Sequence, residues 1–255
     1  MVGVAEPGAA TRALLAIHRD GLNGSSDLGQ AICRACVAGL GVDGAVLSLL
    51  TATTSRVTLW ATDDIAALIE ELQFDLNEGA CMEAAETGRP VLVGDLRRST
   101  EAGRWPMFAA AVVEQTPVRA LFAFPLQSGT VNLGVLDLYR VRAGNLSSGQ
   151  YDDALGAVGV AASMIGGSDV DSPLRDRPGG HPDGSAGTGG SWLDDSLSHR
   201  AEVHQATGMA LVQLGISAPE ALAWLRAHAF AHQRQLIDVA KDVVARRLRF
   251  TEEMR

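Results

Sequence analysis

The order of elements in the sequence predicts an α+β protein: an antiparallel sheet with flanking helices, then a flexible linker, then a small three-helix bundle. Three observations carry this. Along residues 11–165 the apolar spacing runs helix, two strands, helix, strand, helix, two strands, helix. Residues 166–191 hold eight glycines and three prolines in 26 positions and show no apolar period, so they cannot repay their ordering entropy. Residues 192–255 return to helical spacing alone. The alternative for the middle segment is an ordered lid, but a structureless loop of that length is uncommon inside one compact domain.

Leu28, Ile32, Cys36 and Leu40 recur at helical spacing, and Gly41 ends that helix. Ala45–Leu50 and Arg56–Ala61 alternate as a hairpin around a turn at Thr53–Ser55. Ile65, Leu68, Ile69 and Leu72 restore the helical period behind Asp63 and Asp64, acids suited to a first helical turn. Arg89–Gly94 reads as a short strand, and Trp105–Glu114 as a helix with Pro106 in its first turn. Ala120–Leu126 and Val131–Tyr139 are strands split by Gly129, and Ser147 with Gln150 forms a capping box for a helix to Ile165. Glu78, Glu83 and Glu86 read as a solvated face, and Asp137 points away from the core by alternation between Leu136 and Leu138.

The 255 residues carry 21 basic and 30 acidic side chains, a net charge of −9. That total is unevenly spread: residues 1–170 sum to −8, residues 171–198 to −3, and residues 199–255 to +2. The basic tail holds the only lysine, Lys241, and four of the six histidines. No apolar run reaches the roughly 18–20 residues that span a bilayer, and residues 1–10 lack the pattern of a signal peptide, so a cytoplasmic protein with no membrane partner is expected. Three cysteines cannot form a disulfide framework. Cys33 and Cys36 make a CxxC within a helix, and with Cys81 they have three readings: core packing, the commonest for such residues, a thiol sensor, or part of a metal site short of ligands. No metal is assigned. There is no GxSxG, P-loop, HExxH or dinucleotide fingerprint, so no catalytic residue and no enzyme activity is expected.

The stretches LQFDLNEGACMEAAETGRPVLVGDL and RWPMFAAAVVEQTPVRALFAFPLQSGTVNLGVLDLYR resemble the GAF domain of bacterial regulators that pair it with an ANTAR output domain. The resemblance covers Thr11 to Ile165 and implies a sensory or dimerising module with a small cavity roofed by a loop and helix. Some relatives hold haem, a bilin or a cyclic nucleotide there. His18, the only histidine of this module, lies outside the sheet region, Cys81 is followed by Met82 rather than histidine, and the Asn-Lys-Phe-Asp-Glu pattern is missing. No cofactor is therefore expected, and the pocket ligand is unassigned.

In the C-terminal region, Val203, Ala206, Ala210 and Leu214 give one apolar face, and Gly215 caps that helix. Ser217-Ala218-Pro219-Glu220 is a capping box opening a second helix with Leu222, Leu225, Ala229 and Phe230. Leu236, Val239, Ala240, Val243 and Val244 form the stripe of a third, which ends in Arg246-Arg247-Leu248-Arg249-Phe250. Leu193 and Leu197 extend the first helix backwards as a dimerisation lead, or else belong to a frayed linker end. Val203-His204-Gln205-Ala206-Thr207-Gly208-Met209, Leu214-Gly215-Ile216-Ser217 with Glu220-Ala221, and Ile237-Asp238-Val239-Ala240 before Val243-Val244 resemble the ANTAR domain, an RNA-binding module of antitermination regulators. Many members carry lysine where this chain has Thr207.

Phosphate contacts need clustered cations, and Lys241, Arg246, Arg247 and Arg249 supply four within nine residues, with Arg234 just before. Solvated complements to a helix dipole are the plain alternative. With the resemblance, Gln205, Thr207, Gly208, Arg234, Lys241, Arg246, Arg247 and Arg249 are the expected RNA-binding residues, and Cys33, Cys36 and Cys81 the sensor or redox candidates. The expected domains are a GAF-like sensor at 11–165, a linker at 166–191 and an ANTAR-type module at 192–255. The expected function is a signal-responsive regulator that binds stem-loops in nascent transcripts and promotes antitermination. Its expected partners are RNA stem-loops, a second copy of the chain, and a small-molecule ligand or an upstream signalling protein. The alternatives are a DNA-binding regulator, which would want base-reading polar residues where the third helix opens with Leu236-Ile237-Asp238, and a sensor acting through protein contacts only.

Overall fold

Five antiparallel strands in the order β2-β1-β5-β4-β3 organise the first part of the chain. The computed structural model describes residues 6–21, 25–50, 56–98, 100, 103–167 and 191–250. In chain order the elements are α1 (Ala9–Asp20), α2 (Ser25–Leu40), β1 (Gly44–Leu50), β2 (Arg56–Ala61), α3 (Asp64–Leu76), α4 (Ala80–Thr87), β3 (Val91–Val93), α5 (Pro106–Gln115), β4 (Ala120–Ser128), β5 (Val131–Arg140) and α6 (Ser148–Gly167). After them come α7 (Ser191–Leu214), α8 (Ala218–Ala231) and α9 (Leu236–Val244). Chain contacts divide the molecule into two units between Gly190 and Ser191. The turn expected at Thr53–Ser55 and positions 168–190 of the expected linker lie outside the described residues.

The sheet is covered on both sides, which explains why β4 is buried from Ala120 through Leu126 instead of alternating with solvent. Leu47, Phe122, Phe124, Leu126, Leu136 and Leu138 face one core with Ile32, Cys33, Cys36 and Leu40 of α2 and Ala154, Ala157 and Ala161 of α6. The opposite face carries Val46, Ser48, Ala123 and Asp137, with Asp137 of β5 directly between Val46 and Ala123 in the register, and packs against α3 and α4. Pro125 sits inside β4 without penalty. It pairs with Val135 of β5 but lies past the end of β3, which reaches only Leu121–Ala123, so its missing N–H breaks no second ladder.

Among the described residues, two helices, α1 and α4, are absent from the expected order. In α1, Ala10 and Leu14 are fully buried at i, i+4 spacing, yet its N-cap Gly8 provides no side-chain cap. The cap comes from far away: the Asp153 carboxylate accepts from Ala10 N (3.0 Å), Thr11 N (2.9 Å) and Thr11 Oγ1 (2.7 Å). The helix crosses α2 at Gly39, where a Cβ would stand 2.3 Å from the Ala10 nitrogen. The short α4 is bounded by Gly79 and by Gly88 at φ +64°.

The expected apolar stripe of α3 also needs correction. Ile65, Leu68 and Leu72 are half-buried, whereas the buried positions are Ala66, Ile69, Glu70, Gln73 and Phe74. They too have i, i+3, i+4, i+7, i+8 spacing, but two of the five are polar, and a search for apolar periodicity passes over them. Asp63 caps this helix through a bond from Ala66 N (2.9 Å). The Ser147–Gln150 capping box forms as expected, with bonds of 3.0 and 3.2 Å.

The second unit is a three-helix bundle around Val203, Ala206, Ala210, Leu225, Val239, Ala240 and Val243. The backbone of α7 is helical from Ser191, so the expected backward extension of the first helix is present. The bond from Ser217 N to Glu220 Oε2 (2.8 Å) realises the capping box before α8. Phe230, expected on the apolar face, is 66% exposed. The helix α9 ends at Val244, and Arg246 adopts φ +60°, so the basic run lies on a turn beyond the helix and folds back through Phe250 N to Gln213 Oε1 (2.8 Å).

Candidate sensor interior and nucleic-acid interface

Between the sheet and its α3–α4 cover lies a closed polar interior. Ser48 (β1), Glu70 and Gln73 (α3), Cys81 (α4) and Asp137 (β5) are each no more than 6% exposed. Gln73 links them: its Nε2 donates to Asp137 Oδ2 (3.1 Å), and its Oε1 accepts from Cys81 N (2.7 Å). Ser48 Oγ lies 3.8 Å from Cys81 Sγ. Glu70, Cys81 and Asp137 each bring one ligand atom within 4.8 Å of the others. Two carboxylates and a thiol are three of the four donors that a zinc-like cation takes, an arrangement the sequence reading, with no metal assigned, does not anticipate. Alternation placed Asp137 correctly on the face opposite Leu136 and Leu138. That face is itself covered by α3 and α4, so Asp137 points away from one core into a second buried layer.

The acids read as a solvated face divide. Glu78 Oε2 accepts from Met107 N and Phe108 N (both 3.0 Å), so it caps α5, whose own Trp105 offers no side-chain cap. Glu83 pairs with Arg104, which stacks 4.5 Å from the Trp105 ring. Glu86 is exposed. Elsewhere on this unit an open groove of about 490 Å³ is lined by Gly94, Asp95, Arg98, Thr100, Ala143, Gly144 and Asn145. The Arg119 guanidinium, bonded to Asp95 at 2.8 and 3.0 Å, holds that carboxyl below its usual range.

Cys33, Cys36 and Cys81 are buried and not joined in disulfides. Burial, reinforced by Cys36, raises the Cys33 thiol well above its ordinary value. Burial and the nearby Asp153 push Cys36 up to about 12. Both face the core from α2, and Cys81 belongs to the polar interior on the other side of the sheet.

In the second unit, Asp242 gathers two of the expected RNA-binding arginines, accepting from Arg234 Nη2 and Arg247 Nε at 2.6 Å each. Lys241, Arg246 and Arg249 are exposed, as are Gln205 and Gly208 on α7. Thr207 differs: it is 6% exposed and its hydroxyl donates to Val203 O (2.7 Å), so it leaves the set of solvent-facing contacts. The sequence reading misses a second cationic group. Arg200 and Arg226 flank His204, and burial together with their charges lowers the His204 pKa. The i, i+4 spacing of Arg200 and His204 is its readable signal.

An antiparallel sheet module with a closed polar interior, in one chain with a cation-bearing helical bundle, is the architecture of a sensor joined to an output module. The GAF domain model matches residues 24–163, and the chain belongs to the GAF domain family. The ANTAR domain model matches residues 193–253, which completes a GAF plus ANTAR architecture. GAF is a signal-sensing domain and ANTAR an RNA-binding antitermination domain. No curated protein matches the chain. Among solved structures, the GAF domain of an Acinetobacter phosphoenolpyruvate-protein phosphotransferase is similar at 10% identity, covering 64% of this chain and 94% of that one, with a TM-score of 0.47. The GAF domain of the same kind of enzyme from Coxiella burnetii is similar at 12% identity, with coverages of 64% and 99% and a TM-score of 0.45. Among the described residues no single helix is long and apolar enough to cross a membrane.

Proposed function

We propose that this chain is a regulator rather than an enzyme, one that binds stem-loops in nascent transcripts through residues 192–255 and promotes antitermination in response to a signal received by residues 11–165. The observation that supports it most is the Arg234–Asp242–Arg247 cluster on the ANTAR-type bundle. One carboxylate holds two guanidiniums in fixed positions, with Arg246, Arg249 and Lys241 exposed around it. Fixed, planar donors of this type suit phosphate oxygens. Loop recognition in RNA relies on splayed bases and a few cations, so a net charge of +2 over residues 199–255 is sufficient.

The input is proposed to be a small polar or cationic ligand held by Glu70, Gln73, Cys81 and Asp137, or an upstream signalling protein, and the chain is proposed to act as a cytoplasmic homodimer. Native mass spectrometry of the purified protein reads both bound mass and subunit number. For the output, the full-length chain is titrated with hairpin RNA and duplex DNA in competition. Hairpin RNA is expected to win, and Arg246→Gln with Arg247→Gln is expected to weaken binding and lower the salt dependence by about one log unit per phosphate contact removed. Equal binding to both nucleic acids would overturn the reading.

A further inference from the structure

At the end of α8 three rings form a ladder that runs from the core to solvent. Phe250, 3% exposed, meets His228 edge-on at 5.4 Å and 83°. His228 stacks on His232 at 4.0 Å and 25°, and His232 is exposed. The outer ring does not swing freely. Its Nδ1 lies 2.8 Å from the His228 carbonyl, which can only accept, so Nδ1 carries the proton and the ring plane is held. The backbone below is equally fixed: Gln233 takes φ +52°, and Gln233 N and Arg234 N close the helix onto Phe230 O and Ala229 O. Burial, then the charges of His232 and Arg234, lowers the His228 pKa, which keeps the middle ring neutral and places the Arg234 charge beside the ladder.

We propose that the exposed face of His232 is a stacking platform for an unpaired RNA base, with Arg234, two residues on, and Arg247, joined to it through Asp242, to receive the flanking phosphates. The proposal rests on the RNA-binding reading above and adds to it a base-contacting residue outside the basic run. A flat ring next to organised guanidiniums matches a nucleotide, one part for the base and one for the phosphate. The base must be unpaired, because a paired and stacked base has no free face to offer.

The test uses the full-length chain and a tandem-hairpin RNA enriched on it from a pool with randomised loops. His232→Ala is expected to weaken binding about tenfold, the loss typical of one stacked base, and to leave the salt slope unchanged. His232→Tyr, which keeps a ring, is expected to retain affinity. Arg234→Gln is expected to lower the salt slope by about one. His232 is a solvent-exposed helix end, and unchanged circular dichroism confirms that each variant is folded. If His232→Ala binds within twofold of the parent, or His232→Tyr loses as much as His232→Ala, the platform is wrong and RNA binding stands. If no RNA is enriched on the parent chain, the RNA reading fails and the platform with it.

Discussion

A glycine inside a helix costs about 0.5–1 kcal/mol relative to alanine. Gly208 bears that cost in the interior of α7 although no atom lies within 4 Å of where its Cβ would stand, so packing gives no reason for it. Its face is shared with Gln205 and with Val212, which is 77% exposed. Gly208→Ala is therefore expected to raise stability by about 0.5–1 kcal/mol in a denaturant melt. If a nucleic-acid backbone approaches here, the same variant loses RNA affinity, and stability and binding move in opposite directions. The cysteines yield a different expectation. With Cys33 and Cys36 buried and their thiols raised, thiolate is scarce at neutral pH. Alkylation of the native chain by iodoacetamide at pH 7.5, read by mass, is expected to be negligible at both and to become rapid on unfolding; prompt native labelling would revive them as redox inputs.

Among the elements, α1 depends on one carboxylate. Burial works to raise the Asp153 pKa, but the bonds from Thr11 and Ala10 outweigh it and hold the group below its ordinary value. A depressed folded-state pKa means that the stabilisation is present above the unfolded value of about 3.9 and is lost as pH falls through the folded value. Asp153→Asn is expected to destabilise the sensor by about 1.5–3 kcal/mol at pH 6, the usual range for bonds to a buried charge, with the gap to the parent closing below about pH 4 in a series of thermal melts. This contact also marks the limit of what the sequence makes legible. The Ser147 and Ser217 capping boxes are local, with partners three residues away, and both are readable. The caps of α1 and α5 come from Asp153 and Glu78, 142 and 30 residues distant, and no local pattern announces them. The same holds for the interior. Glu70, Gln73 and Asp137 are polar residues on a covered sheet face, and alternation separates the two faces without saying which of them meets water.

At the level of the entire chain, the net charge of −9 divides into an acidic first part and a basic C-terminal part of +2, and the two units each have their own buried core. Deleting residues 1–190 removes most of the acidic charge, so the remaining fragment is expected to bind nonspecific RNA more tightly at low salt, with the difference fading as ionic strength rises. Equal background binding by fragment and full chain would show that the acidic part does not screen the bundle. The bond between Thr11 and Asp153 has a kinetic meaning as well. It joins residues 142 apart, so forming it in an unfolded chain means closing a long loop, and contacts of such separation are disfavoured early in folding. Interactions made that late govern how fast a protein comes apart more than how fast it assembles. The line between the first and last helices of the sensor is thus where the module is expected to open first, and native-state hydrogen exchange reads it as early loss of protection at Ala10 and Thr11.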